Sequence, residues 1–195
     1  MNKALLDYAL KVRLPITVFV IISSFALTFY FSRAERDGVG YSPEQPIAFK
    51  HSLHAGQMGI DCKYCHNGAD KGRHAMVPPA STCMNCHSLA RKDKPEIKKL
   101  TAFYNSGQPI PWVRIHKVPE YAYFNHSAHV NKGIDCKSCH GDVAKMDKIE
   151  QVHSFTMSNC LNCHREAHEK LPYLKDQFEK GKINLGPEYC GACHR

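Results

Sequence analysis

Apolar and uncharged residues run unbroken from Leu14 to Phe31, 18 positions in all. A membrane-spanning helix needs about 17–25 such residues, so the run predicts one transmembrane helix. A cleaved secretion signal is the rival reading, because Ser32-Arg33-Ala34 has the form of a cleavage site. The run exceeds the usual signal core of about 7–15 residues, which favours an uncleaved anchor. Lys3, Lys11 and Arg13 precede it, while Arg33 and Arg36 follow. That small basic excess points to a cytoplasmic N-terminus. Ser23, Ser24 and Thr28 could pack against another helix, or simply be tolerated in lipid.

Beyond the span the periodicity is thin. Ile97, Leu100 and Tyr104 recur at helical spacing, with Pro95 placed to open a helix and Gly107 to close it. Gln108-Pro109-Ile110-Pro111-Trp112 then reads as an extended linker. A second short helix is expected from Pro172 to Glu179, ending at Gly181. The rest predicts loops. About 150 residues outside the membrane, so poor in regular elements, cannot build an ordinary core.

An internal repeat organises this region. Phe49-Lys50-His51-Ser52-Leu53-His54 leads to Gly59-Ile60-Asp61-Cys62, and Phe124-Asn125-His126-Ser127-Ala128-His129 leads to Gly133-Ile134-Asp135-Cys136. The second copy is one residue shorter before its first cysteine and has a longer spacer after it. Duplication explains both. The chain is read as an N-terminus (1–13), an anchor (14–31), a linker (32–47) and a periplasmic region (48–195). Within the last, the repeat units are 48–91 and 121–168, with a tail at 169–195.

The cysteines supply the chemistry. All ten fall into five CxxCH motifs: Cys62–Cys65–His66, Cys83–Cys86–His87, Cys136–Cys139–His140, Cys160–Cys163–His164 and Cys190–Cys193–His194. A lone CxxC would suit a zinc knuckle or a redox dithiol. Histidine after every second cysteine instead marks covalent c-type haem attachment, with that histidine as proximal iron ligand. Five covalent haem c groups are expected, and no other metal. The porphyrins would then be the core, most motifs sitting on one helical turn. Attachment takes place outside the cytoplasmic membrane, which puts residues 48–195 on the periplasmic side.

The formal charge of +8 does not indicate nucleic acid. Haem charges bring the loaded chain to between about +3 and −2, and many lysines and arginines would meet propionates.

Eight histidines remain for distal positions: His51, His54, His74, His116, His126, His129, His153 and His168. His51/His54 and His126/His129 are the expected ligands. Three residues on a helical turn put two imidazoles on one side, each reaching a different haem. For the fifth, His116 in its proline-flanked linker ranks ahead of Met157 and His74, with His153 also a candidate. A methionine ligand would raise that haem's potential. The plainer role of Met157 and Met76 is packing against porphyrin. His168 is expected to face solvent or a propionate.

Phe-x-His-x-x-His before CxxCH resembles the class III multihaem cytochromes. Residues 110–119 (IPWVRIHKVP), with Tyr123–His129 and Ser158–Arg165, are similar to the pentahaem subunit of alternative complex III. The resemblance covers roughly residues 48–195. It implies a mostly irregular, short-helical class III-like fold wrapped round five haems, in a bacterial quinol:acceptor oxidoreductase. The partners it implies are an integral-membrane quinol-oxidising subunit and an iron–sulfur subunit related to molybdopterin oxidoreductases. A monohaem cytochrome c or terminal oxidase would be the acceptor. The same module also accompanies true molybdopterin reductases.

Fully ligated haems offer no substrate site, so a non-catalytic electron-transfer subunit is the leading expectation. A self-contained quinol dehydrogenase would need a quinol pocket and proton acceptor that one helix hardly provides. Glu35, Asp37 and Glu44 in the linker read as solvated charges. A nitrite- or hydroxylamine-type reductase would need an open iron, which the surplus histidines oppose.

Overall fold

The computed structural model describes residues 3–32 and 38–194. Of the expected anchor and linker features, Arg33, Ala34, Glu35, Arg36 and Asp37 lie outside the described residues. The chain forms two compact units, Met1–Asp37 and Gly38–Arg195.

The first unit is one helical rod. Helix α1 (Lys3–Tyr8) passes through a π-helical turn (Ala9–Arg13) into α2 (Leu14–Phe31), which has the bounds that the apolar run predicts. The wide turn has a cause in Pro15. Its ring presses on the carbonyl four residues back and it donates no hydrogen bond. The Leu14 amide reaches back to the Ala9 carbonyl, five residues away, which widens the turn ahead of the proline. None of the side chains of α2 is buried, and apolar hydropathy continues from Leu6 to Phe31.

The second unit carries the motifs on short helices. In order these are a π-helical turn (Ser52–Gln57), α3 (Cys62–Cys65), α4 (Ala80–His87) and α5 (Pro95–Ser106). Then come α6 (His126–Val130), α7 (Lys137–His140), α8 (Met157–Lys170) and α9 (Lys175–Glu179). Pro172–Leu174 and Cys190–Ala192 are 3₁₀ turns. Among the described residues there is no strand, only an isolated antiparallel bridge between Ala122 and His194. Helix α5 opens on Pro95 and closes on Gly107 at φ 67°. Its buried stripe differs from the expected one: Ile97, Leu100 and Phe103 pack inward, while Tyr104 is 48% exposed. The motifs also vary more than the single turn expected. Cys83 and Cys160 lie within longer helices, and α8 kinks at Glu166 (φ −115°, ψ 21°).

Two small apolar clusters stand in place of a core. Ile47, Leu100 and Ile110 pack with Met84 and Trp112; Ala167, Leu171, Leu174 and Ile183 pack with Ile134 and Phe178. The accessible area is 13982 Å², against about 9300 Å² for a compact chain of this mass. Part of the excess belongs to α2. Much of the rest is apolar surface beside the CxxCH motifs, including Tyr64, Met76, Val77 and Leu89.

The repeat units reach into each other. From the first, the Ser52 amide bonds to the Met146 carbonyl, while Lys50 and Ser52 both engage Asp147. From the second, the Ser127 amide bonds to the Gly72 carbonyl, and Asn131 Nδ2 to the Asp70 carbonyl. Each unit thus positions its histidine pair against the other.

Candidate haem-binding site

Four of the CxxCH histidines are held from behind. Nδ1 of His66 donates to the Met76 carbonyl (2.7 Å), and that of His87 to Ala90 (3.1 Å). His164 donates to Pro187 (2.7 Å) and His194 to Tyr121 (3.2 Å). His54, His126 and His129 do the same to Lys50, Arg73 and Asn125. A carbonyl only accepts, so each Nδ1 carries its proton and Nε2 keeps a free lone pair, the form a metal binds. Met76 serves through its backbone, with φ at 68° turning its carbonyl to His66. Gly186 lets the tail pass the His164 ring, since a Cβ there would lie 2.3 Å from it.

The histidines meet in opposed pairs. An iron flanked by two imidazoles holds the ring centres about 6.2 Å apart, from metal–nitrogen bonds of about 2 Å and ring spans of about 1.1 Å. His54 and His87 stand 6.2 Å apart. His126 and His140 stand 6.4 Å apart, with planes at 3°, and His129 and His164 6.2 Å apart. Each pair joins an F-x-H-S-x-H histidine to a CxxCH histidine of the same repeat unit. Among the described residues no three His, Cys, Asp or Glu side chains converge as a zinc cage would need. The residues fit haem. Buried polar atoms without a partner, Trp112 Nε1, His116 Nε2 and His51 Nδ1, offer sites for its edge or for water.

Burial favours the neutral imidazole. It lowers His51 to about 4, with neighbouring His66 adding to the effect. Burial, then His116, His126 and His66, hold His140 down to about 3. Burial also raises the Cys139 thiol to about 11, helped by Cys163 and Cys160.

The remaining candidates are placed differently. His116 lies edge-on to His140, with ring centres 4.4 Å apart at 89°, too close to share an iron with it. His74, His153 and Met157 are exposed in the polypeptide. His168 is exposed beside Glu169. Tyr121 stacks on His194 at 5.8 Å. A cavity of about 370 Å³ opens beside His87, lined by Met84, Lys92, Lys98 and Thr101.

The sequence is similar to those of known proteins. The class III cytochrome C family matches residues 30–116, and cytochrome c3 matches residues 128–195. The multiheme cytochrome c subunit of menaquinone reductase from Nitratidesulfovibrio vulgaris is 34% identical over 142 residues. That match takes in 62% of this chain and 68% of the relative. The chain belongs to the class III multihaem cytochromes c. A class III cytochrome carries covalently bound haem c. The gap between the two matched regions, residues 117–127, runs into the first turn of α6. The cytochrome's first match takes in the Cys62 and Cys83 motifs and its second the Cys136, Cys160 and Cys190 motifs.

Proposed function

We propose that this cytochrome is a membrane-anchored pentahaem relay within a quinone-linked oxidoreductase, catalysing no substrate reaction of its own. The observation that carries this reading is the spacing of the opposed imidazoles, 6.2–6.4 Å in three sites. Imidazoles so paired would both bind the iron of a haem placed between them and would leave it no place for substrate. Bound haem supplies one-electron transfer. The chain's residues would hold and orient the imidazole rings toward it.

The proposed ligand sets follow the repeat. His54 pairs with His87, His126 with His140, His129 with His164 and, by repetition, His51 with His66. After burial, His66 is the neighbour that does most to lower His51, which supports that pairing. His194 serves the Cys190 site. Its second ligand is sought by substituting His116, Met157, His74 and His153 in turn; loss of one low-spin haem signal in a single variant names it.

Helix α2 anchors the cytochrome in the bacterial cytoplasmic membrane with residues 48–195 in the periplasm. The named relative belongs to a menaquinone reductase, which favours a parent complex that exchanges electrons with a quinone pool. Alternative complex III is one such assembly and a molybdopterin oxidoreductase complex another. The proposed partners are a polytopic quinone-binding subunit, an iron–sulfur subunit and a soluble or oxidase acceptor. Purification from detergent-solubilised membranes, with mass spectrometry of the co-purifying chains, tests this. Recovery of quinone-binding and iron–sulfur subunits is expected. Recovery of the cytochrome alone, with quinol-dependent haem reduction, would replace the relay with an independent quinol dehydrogenase.

A further inference from the structure

We infer that the five attachment sites stand in single file in the order Cys83, Cys62, Cys136, Cys160, Cys190, so that electrons enter and leave at the Cys83 and Cys190 sites. The inference rests on the relay reading and gives it a route. The order departs from the sequence, because the second motif of the chain is an end and the first is internal.

Four sets of contacts carry it. Between the first two sites, Asn85 and Tyr64, each lying between the cysteines of its own motif, are joined at 3.1 Å. The Cys62 and Cys136 sites meet where the loop after His66 is zipped to α6. The Asp70, Gly72 and Arg73 carbonyls accept from Asn131, Ser127 and His126 there.

The Cys136 and Cys160 sites share α6. His126 faces one proximal ring and His129, three residues on, faces the next. One turn of helix cannot separate its ligands by more than a few ångströms, so two irons bound there must be neighbours. Tyr173 adds a clasp, its hydroxyl meeting the Asp135 amide at 2.9 Å and Ser138 Oγ at 3.1 Å. The Cys160 and Cys190 sites are joined by His164 on the Pro187 carbonyl and by Arg165 on Glu188, both at 2.7 Å.

A rival route would close the file into a ring. The Cys193 carbonyl accepts from the Tyr123 amide, and Arg73 of the first unit stacks on Tyr123 at 4.3 Å. That link runs through the backbone of residues 121–123 and a guanidinium, so polypeptide separates the Cys190 site from the Cys62 site.

The test is an iron anomalous-scattering map from crystals of the full-length, haem-loaded protein, each iron assigned through its cysteines. Nearest neighbours should be Cys83–Cys62, Cys62–Cys136, Cys136–Cys160 and Cys160–Cys190, with the Cys83 and Cys190 irons farthest apart. The file is overturned if the Cys190 iron lies nearer the Cys62 or Cys136 iron than the Cys160 iron. It is equally overturned if the Cys83 iron lies nearer the Cys136 iron than the Cys62 iron. The mass of the denatured chain counts covalent haems separately. Five haems with another neighbour order sink the file alone; fewer than five sink the pentahaem relay and remove a station from the file.

Discussion

The two repeat units build the same ligand clamp, but only one is fully tied down. In the first, Phe49 meets His51 edge-on at 4.8 Å and stacks on His54 at 4.3 Å. In the second, Phe124 meets His126 at 4.8 Å and His129 at 4.6 Å in the same two orientations. The phenylalanine is a wedge that sets the imidazoles across each other. Beyond the clamp the units diverge. His126 donates to the Arg73 carbonyl at 2.8 Å, whereas His51 Nδ1 is buried without a partner. The extra residue of the first unit is absorbed as a π-helical turn, where the second has an ordinary α-helical one. Local sequence therefore sets the ring geometry, while the opposite unit decides which ring is anchored.

Removing attachment sites should break the comparison most sharply. Replacing Cys136 and Cys139 by alanine takes haem from the site against which both units fold, and loss of folded holoprotein is expected. The same change at Cys83 and Cys86 should leave the second unit's haems spectrally intact, as absorbance and denatured mass would report. If both variants fold equally well, the units do not depend on each other.

Ligand exchange is the next largest effect. His51→Met and His126→Met should each raise the potential of one haem, by part of the roughly 0.8 V range that axial ligands control. Spectropotentiometry measures this. Only His126→Met also loses an anchoring hydrogen bond, and should cost about 1 kcal/mol more in denaturant titration. Equal losses would remove the distinction between the two clamps.

Smaller changes sharpen it. A Cβ on Gly56 would meet the Ala144 carbonyl at 2.3 Å. Gly56→Ala should therefore destabilise by about 1–3 kcal/mol, and Lys132→Ala in the second unit by no more than about 0.5 kcal/mol. The weakest contrast is at the caps. Asp61 accepts from the Lys63 amide at 2.8 Å and Asp135 from the Lys137 amide at 3.1 Å. Replacing either by alanine should cost about 1 kcal/mol, and a twofold difference in thermal unfolding would show that the repeat is not shared at this point.

Much of the chain's local structure was legible in sequence. The apolar run, the proline-opened helix at Pro95 and the segment Pro172–Glu179 all carry their signals within a few residues. Positions fixed by distant neighbours did not announce themselves. Phe103 rather than Tyr104 faces inward because Ile47 and Ile110 lie on that side. The π turn at Ser52–Gln57 follows from one inserted residue held between Asp61's cap and the contact with Ala144. A gap in the repeat alignment was its one sequence trace. Met76 and Gly186 act through a carbonyl and through the lack of a side chain, and neither role has a composition signature. His116 is legible as a rigidly placed histidine, but its seat against His140 depends on a fold in which unit two closes on the linker.

The Cys62 and Cys136 thiols, drawn from different motifs, lie near each other in the folded polypeptide, and after burial Cys62 is the largest cause holding the Cys136 thiol above its ordinary value. A chain that reached this shape with its thiols still free, in an oxidising compartment, would be set up to join the wrong pair. At these two motifs, haem attachment before the units close would remove that hazard.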